Sequence, residues 1–266
     1  MSGTAGFGKA TRLMVATPLY GGAQAEYVGS IVALMQLAAN RGLACDYLTA
    51  KNNPSLTRAR NSLVAAFLAS DASHLMFVDD DIGFDAADVL GLVERMASQD
   101  ELAVLGAPCP RRETDWAAIS SAAAGGSARG GDDRLALAGT RYAVEPLQPG
   151  GALKLDRPFE LAKLGSGLMI VRRDVFESLA DRHPELAYRQ ADSGTGAERR
   201  LTAFFMPMIE PETELLLTDD YAFSRRARDA GFRLWAAPWM KTTHTGPATF
   251  TASMPDLAAF QSNRKD

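Results

Sequence analysis

The stretch His74-Leu75-Met76-Phe77-Val78-Asp79-Asp80-Asp81 is the most informative segment of this 266-residue chain. Four apolar residues end at three consecutive carboxylates, which is typical of a buried strand whose carboxyl end reaches the ligand-binding edge of an α/β sheet. Helical patterns lie on both sides, over 56–70 with Ser55 as N-cap and over 86–97 with Asp85 as N-cap. The segment therefore predicts a strand over 74–78 between two helices.

Short β-like runs alternate with helical patterns through the first hundred residues. The predicted strands are residues 13–16, 43–48 and 102–105, and apolar residues at helical spacing from Val28 to Ala38 predict a helix between the first two. Such alternation is the signature of βαβ units. The predicted fold class is α/β, with a Rossmann-like nucleotide-binding half and a mixed, mostly parallel sheet flanked by helices.

The rest of the chain is less regular. Residues 111–158 lack periodicity, and the run from Ala122 to Gly131 is rich in small residues, so we expect an irregular insertion or acceptor loop there. Further predicted elements are strands over 167–171 and 232–236, a helix from Asp174, and a helix from Thr218 to Gly231. We interpret 1–266 as a single domain that carries this insertion.

The composition limits the classes of binding partner and the cellular locations that we expect for this protein. The formal net charge of −4 predicts no general attraction to polyanions, and two cysteines, Cys45 and Cys109, supply neither a disulfide framework nor a zinc motif. No apolar run approaches membrane-spanning length, and the run 13–16 is too short for a signal-peptide core. We expect a cytoplasmic protein without an integral membrane segment.

Carboxylates at two places are candidates for chemistry. Alternation along the strand puts Asp79 and Asp81 on one side, where two carboxylates hold Mg²⁺ or Mn²⁺ against nucleotide phosphates. The alternative is a solvated turn that caps the next helix. Asp219 and Asp220 follow Thr218 at a predicted helix start, where a catalytic base and a simple complement to the helix dipole both fit the pattern.

His244 lies in the segment Lys241-Thr242-Thr243-His244-Thr245-Gly246, expected to be a loop. A mixed oxygen and imidazole ligand set suits an ion such as Mn²⁺, and Lys241 is close enough in sequence to contact phosphate. The alternative is an incidental loop histidine. His74 and His183 have no acidic or glycine context and are expected to be structural.

Six segments in this order resemble the GT-A glycosyltransferases, in particular the family-2-like bacterial and phage group. They are Thr17-Pro18-Leu19-Tyr20-Gly21, Arg58-Ala59-Arg60-Asn61, Val78-Asp79-Asp80-Asp81-Ile82-Gly83-Phe84, Gly165-Ser166-Gly167, Thr218-Asp219-Asp220-Tyr221-Ala222-Phe223 and His244-Thr245-Gly246. The resemblance covers nearly the whole chain outside 111–158. It implies a metal-dependent, hexosyltransferase-like enzyme that takes a sugar from a nucleotide-sugar donor, with a UDP-sugar as the expected donor.

The resemblance also implies roles for individual residues. The expected donor-binding residues are Thr17, Pro18, Tyr20, Arg58, Arg60, Asn61, Asp79, Asp80, Gly165, Ser166, Gly167 and Lys241. Asp79, Asp81 and His244 would hold Mn²⁺ or Mg²⁺, with Asp80 as the variable middle position of the DxD motif. Asp220 would be the catalytic base of an inverting enzyme, and Asp219 would orient the base or the acceptor hydroxyls.

One departure from the family pattern affects this assignment. Asp219 stands where glutamate is usual, and its side chain is one methylene shorter, so retention of configuration stays open. Two other functions also stay open: a metal-dependent nucleotidyltransferase, although no basic residue follows Gly21-Gly22 in the adjoining turn, and a catalytically silent nucleotide-sugar-binding module.

The acceptor is a glycan, a lipid-linked molecule, a small molecule or a hydroxymethylated pyrimidine in DNA, the last because phage relatives of this group modify DNA. A DNA acceptor predicts one basic strip beside the active site and binding that weakens steeply with salt. The arginines that would form the strip are Arg111, Arg112, Arg199, Arg200, Arg225, Arg226 and Arg228.

Overall fold

The computed structural model describes residues 7, 10–125, 132–148, 150, 152–191, 198–246 and 249–262. The strands are β1 (Arg12–Leu19), β2 (Ala44–Lys51), β3 (His74–Val78), β4 (Ile82–Gly83), β5 (Val104–Gly106), β6 (Glu145–Pro146), β7 (Phe159–Lys163), β8 (Leu168–Arg172), β9 (Ala187–Ala191), β10 (Glu198–Thr202), β11 (Met208–Ile209), β12 (Leu216–Leu217), β13 (Leu234–Ala236), β14 (Thr242–Thr245) and β15 (Thr249–Ala252). The helices are α1 (Ala25–Arg41), α2 (Leu56–Leu68), α3 (Ala86–Ser98), α4 (Trp116–Ala124), α5 (Asp132–Ala138), α6 (Arg173–Arg182), α7 (Asp219–Asp229) and α8 (Met254–Ser262).

A mixed eight-stranded sheet forms the centre of the protein, in the order β2-β1-β3-β8-β5-β13-β7-β6. Six of these strands run in one direction, and β7 and β8 run against them. The expectation of an α/β fold with a mixed, mostly parallel sheet flanked by helices is confirmed. The antiparallel β8 lies between β3 and β5, so the segment before β8 reaches the same sheet edge as the ends of β3 and β5.

Side-chain alternation along the strands builds a three-layer core. In β3, Met76 and Val78 face the layer of α1 and α3, while Leu75 and Phe77 face the layer that contains α2, α6 and α7. All five residues of β3 are buried. A strand buried on both faces must be apolar throughout, which explains why this segment was recognisable in the sequence.

The sequence predicted the principal elements of the amino-terminal half. The strand over 74–78 is confirmed with those limits, and both predicted N-caps are present: Ser55 Oγ accepts from Arg58 N, and Asp85 Oδ1 accepts from Ala87 N. The first strand is longer than predicted and includes Pro18. The first predicted apolar stripe is wrong at Val28, which is 45% exposed, because Tyr27 occupies the buried position beside it.

The segment 111–158 is more ordered than predicted. It contains α4, α5 and β6, and Pro110 pairs with Tyr142 in an isolated antiparallel bridge. The expected loop over Ala122–Gly131 is therefore wrong at its start, where Ala122 is buried in α4, and residues 126–131 lie outside the described residues. A small cluster of Ala122, Ala138 and Phe260 holds α4 and α5 against α8.

A three-stranded sheet, in the order β15-β14-β4, lies next to the acids that follow β3. His244 is in β14 and pairs with Ile82 of β4, so its expected place in a loop is wrong. Gly83 is required at this contact, because a Cβ there would overlap Thr243 Oγ1. Within the described ranges, no helix has the length and apolar character needed to cross a membrane.

Candidate active site

Three different elements hold the backbone of the three acids that follow β3. Asp79 N donates to Gly167 O at 3.1 Å, Gln24 N donates to Asp80 O at 2.9 Å, and Thr245 N donates to Asp81 O at 2.9 Å. The start of β8, the start of α1 and the end of β14 thus each fix one acid. Burial, with the charge of Asp81, raises the pKa of Asp80.

Arg60 joins two of the predicted site acids. Its side chain is only 3% exposed, its Nη2 donates to Asp79 Oδ1 at 3.2 Å, and its Nη1 pairs with Asp219 Oδ2. Burial alone would lower the pKa of Arg60, but Asp79 and Asp219 together raise it, so the guanidinium remains charged. Arg60 therefore fixes Asp219 against Asp79, and it is an internal link rather than an open donor-binding side chain.

Asp81 and His244 form a second group at the rim of the site. His244 Nε2 lies 3.4 Å from Asp81 Oδ2, and the same oxygen accepts from Arg112 Nη1 at 3.0 Å. His244 Nδ1 lies 2.7 Å from Pro110 O. Since that carbonyl can only accept, Nδ1 carries the proton and Nε2 faces Asp81 with its lone pair when the imidazole is neutral.

Asp220 is held at the start of α7. Its Oδ2 accepts from Ser166 N at 3.3 Å, and its Oδ1 accepts from Tyr221 N at 2.9 Å and from Thr218 Oγ1 at 3.0 Å. Thr218 occupies the N-cap position without a side-chain bond to a helix N–H. Its hydroxyl instead orients the carboxylate of Asp220, which is a role that its sequence position alone did not indicate.

A cavity of about 210 Å³ connects these elements. It brings together six predicted site residues, namely Asp79, Gly165, Ser166, Gly167, Asp220 and His244. Gly167 is in a tight position, since a Cβ there would lie 3.2 Å from Cys109 Sγ, whereas a Cβ at Gly165 would be in ordinary contact with Asp220 Oδ2 at 3.6 Å. The Oγ of Ser166 is buried without a hydrogen-bond partner among the described residues.

The cavity also contains residues that were not assigned to this site from the sequence. They are Cys109, Lys163 and Tyr221, together with Arg111, which was expected in a basic strip. Burial raises the pKa of the Cys109 thiol to about 12, so this cysteine is neutral. A usable signal was present: Lys163 directly precedes the Leu164-Gly165-Ser166-Gly167 segment, and Cys109 follows a predicted strand whose carboxyl end lies at the same sheet edge.

Three predicted donor-binding residues have other surroundings. Thr17 is fully buried and its Oγ1 hydrogen-bonds to Tyr27 OH at 2.7 Å. Asn61 is 2% exposed and its Oδ1 accepts from Phe205 N at 3.1 Å. Lys241 lines a separate, open groove of about 860 Å³ beside α1 and the start of α3. None of these three side chains lines the cavity that contains Asp79 and Asp220.

The other predicted donor-binding residues near these acids remain accessible. Arg58 is exposed, Pro18 is half-buried, and Tyr20 is 68% exposed. Pro18 lies near the end of β1, Tyr20 directly follows that strand, and Arg58 is in the first turn of α2. A donor role for them stays a prediction.

Asp81 Oδ2 and His244 Nε2 are suitable ligand atoms for a divalent cation. Two ligands that are each about 2.1 Å from one ion lie about 3 Å apart at an angle near 90°, close to the separation of Asp81 Oδ2 and His244 Nε2. The bond from His244 Nδ1 to a backbone carbonyl is the usual support of a metal-binding imidazole. Across the part of the chain that the structure describes, no three His, Cys, Asp or Glu side chains form a ready metal cluster. Asp79, the third predicted ligand, contacts Arg60 instead.

Two arginines of α7, Arg225 and Arg226, do not contribute to the predicted basic strip. Arg225 pairs with Glu210, Glu212 and Asp229. Arg226 is buried, and its Nη1 donates to the carbonyl oxygens of Phe204 and Met206. These two guanidinium groups are committed to the protein itself.

No protein-family model and no curated protein matches the sequence. Among solved structures, the chain is similar to the crystal structure of GalNAc-T7 with UDP, GalNAc and Mn²⁺, with 10% sequence identity and a TM-score of 0.47. The similarity covers 97% of this chain and 49% of that chain, so the present chain spans about half the length of the solved one. A likeness at this level does not assign an activity.

Proposed function

We propose that this protein is a metal-dependent GT-A glycosyltransferase that moves a sugar from a nucleotide-sugar donor, a UDP-sugar, to an acceptor hydroxyl. One observation carries the proposal. Asp79, Asp220, His244 and the Gly165–Gly167 segment line one cavity, and Asp81 lies 3.4 Å from His244 at its rim. Four distant parts of the chain thus place a general-base candidate and a cation-binding pair around one space.

In this proposal Asp220 is the catalytic base. Its carboxylate takes the proton of the acceptor hydroxyl while the acceptor oxygen bonds to the anomeric carbon and the bond from that carbon to the diphosphate breaks. Ser166 N and Thr218 Oγ1 orient the carboxylate. Attack opposite to the leaving diphosphate inverts the configuration. Asp219, which pairs with Arg60, would orient the base or the acceptor hydroxyls.

Asp81 and His244 are the proposed cation ligands. A bound Mn²⁺ or Mg²⁺ would offset the charge that develops on the leaving diphosphate. Two protein ligands suffice, because such ions complete their coordination with phosphate oxygens and water. Asp79 is proposed to contact the donor through the oxygen that Arg60 leaves available, and a direct bond from Asp79 to the cation stays a second arrangement.

The experiment is a screen of nucleotide sugars for Mn²⁺-dependent hydrolysis and thermal stabilisation, with the wild type beside Asp81→Asn and Asp220→Asn. Asp81→Asn should weaken donor and Mn²⁺ binding. Asp220→Asn should keep donor binding and lower turnover by about 10²- to 10⁴-fold. Cleavage at the α-phosphate, which releases a sugar 1-phosphate instead of a free nucleoside diphosphate, would identify a nucleotidyltransferase, and binding without turnover would identify a silent module.

Asp174→Asn is a matched control for Asp220→Asn. Asp174 is also the second residue of its helix, but it pairs with Arg172 and does not line the cavity. It should leave turnover unchanged. Equal loss of donor binding in Asp81→Asn and Asp220→Asn would show that the base has been assigned wrongly.

The acceptor is proposed only as a hydroxyl compound, with a glycan, a lipid-linked molecule, a small molecule and modified DNA as classes to test. The commitment of Arg225 and Arg226 to internal contacts removes part of the support for DNA. Binding of hydroxymethylated duplex DNA that falls steeply between 50 and 200 mM salt, by about 10³-fold or more, would restore it.

A further inference from the structure

The pairing of Arg112 with Asp81 is not explained by the fold. Arg112 lies between β5 and α4, and its side chain is 53% exposed. The backbone around it is already anchored, since Arg111 N donates to Arg141 O at 2.8 Å and Pro110 pairs with Tyr142. The ion pair therefore holds no element in place, and only a side chain has to move if it breaks.

The contact falls on the oxygen that the proposed cation needs. Arg112 Nη1 is 3.0 Å from Asp81 Oδ2, and His244 Nε2 is 3.4 Å from that same atom. A guanidinium and a divalent cation cannot share this oxygen without strong repulsion, because both positive centres would be within about 4 Å of each other. Arg112 thus competes with a cation for this oxygen of Asp81.

We infer that Arg112 blocks Asp81 until the nucleotide arrives and then binds the diphosphate of the donor. The inference rests on the proposed function, because it takes Asp81 and His244 as the cation ligands. On leaving Asp81, the guanidinium needs another anion, and the diphosphate beside the cation offers oxygens that match its planar donor fork. Cation and nucleoside diphosphate then bind cooperatively, each favouring the state in which Arg112 has left Asp81.

The test uses two titrations, Mn²⁺ alone and Mn²⁺ with UDP, followed by calorimetry or by the Mn²⁺ electron paramagnetic resonance signal. Arg112→Ala should bind Mn²⁺ alone about three- to fivefold more tightly than the wild type, the factor that a partly exposed ion pair is worth. With UDP present this advantage should reverse, because the variant lacks a diphosphate contact. The enhancement of Mn²⁺ affinity by UDP should shrink by about tenfold.

Arg157→Ala is the matched control, because Arg157 pairs with Asp156 at 2.9 Å in the same 111–158 segment and is 58% exposed. It should bind Mn²⁺ and UDP as the wild type does. Unchanged or weaker Mn²⁺ binding by Arg112→Ala, while Asp81→Asn loses Mn²⁺, would overturn the inference and leave the proposed function intact. Absence of Mn²⁺ binding from the wild type and Arg112→Ala, with and without UDP, would overturn the cation site and the inference together.

Discussion

Two arginines contact the acids of the site, but they differ in burial and in the number of carboxylates that they contact. Arg60 is 3% exposed and bridges Asp79 and Asp219, with its guanidinium 6.0 Å from the ring centroid of Phe205. Arg112 is 53% exposed and contacts a single carboxylate, Asp81. An arginine that is buried with two acids belongs to the scaffold, whereas one at the rim is available for exchange with a ligand.

The largest expected effect is that of Arg60→Ala. Removal of this guanidinium leaves Asp79 and Asp219 without their shared counter-charge, which should lower the free energy of unfolding by about 3 kcal/mol or more. Urea denaturation measures it. Arg60→Lys retains a charge without the two-armed geometry and should lose less. A loss below about 1 kcal/mol in Arg60→Ala would mean that the bridge is not part of the scaffold.

His74 is a buried basic side chain on which burial and the charge of Arg172 outweigh the opposing charge of Asp174. It is 4% exposed, lies opposite Arg172 in the strand register, and burial lowers its pKa from 6.5 to about 4. Between these values the unfolded chain binds a proton that the folded chain does not. Stability from this residue is therefore complete above about pH 6.5 and is lost as the pH falls towards 4.

The wild type should accordingly lose about 2 kcal/mol more than His74→Gln when the pH is lowered from 7 to 5. Chemical denaturation of both proteins at the two pH values gives this difference, since groups common to both cancel. Parallel pH dependence of the two proteins would show that His74 is protonated in the folded state.

Asn61, next to Arg60 in α2, was predicted to bind the donor but is buried, so its substitution tests whether it supports the fold or binds the ligand. Asn61→Ala leaves Phe205 N, a buried donor, without its acceptor, and should cost about 1 to 2 kcal/mol of stability. UDP affinity should be unchanged, because the side chain does not line the cavity. The exposed Asn40→Ala on α1 is the control. A fall in UDP affinity with unchanged stability would return Asn61 to the donor site.

The smallest effect is expected at the rim. Arg112→Ala should alter the free energy of unfolding by less than about 0.5 kcal/mol, because a single exposed ion pair contributes little. The same denaturation series measures it beside Arg60→Ala. A loss comparable to that of Arg60→Ala would abolish the distinction between the two arginines.

Helices and strands that are strongly buried or begin with a clear N-cap were predicted from the sequence, whereas weakly buried or short elements were not. The strand over 74–78 and the caps Ser55 and Asp85 were predictable because each depends on local residue types. The helix α4 was not, since its alanines and serines show no apolar stripe and only Ala122 is buried. The strand containing His244 was missed because polar threonines surround it and its partner β4 has only two residues.

Within the site, it was easier to predict which residues take part than where their side chains lie. Asp79, Asp220, His244 and the glycine-rich segment do meet at one cavity. Lys241 does not, because strand alternation places Lys241 and Thr243 towards the groove beside α1 and His244 towards the cavity. The sequence shows the charge of Arg60 but not its burial between two acids, because Asp79 and Asp219 are brought to it from distant parts of the chain.

The pairing of β14 with β4 joins Gly83 to Thr243 across 160 positions of the chain. Pairing of segments so distant in sequence carries a cost in chain entropy and slows folding. While the polypeptide is being synthesised, Asp81 emerges long before the imidazole that faces it. A ligand bound by both Asp81 and His244 would stabilise the folded protein by linking these two parts of the chain, and its loss should destabilise β14 and β15.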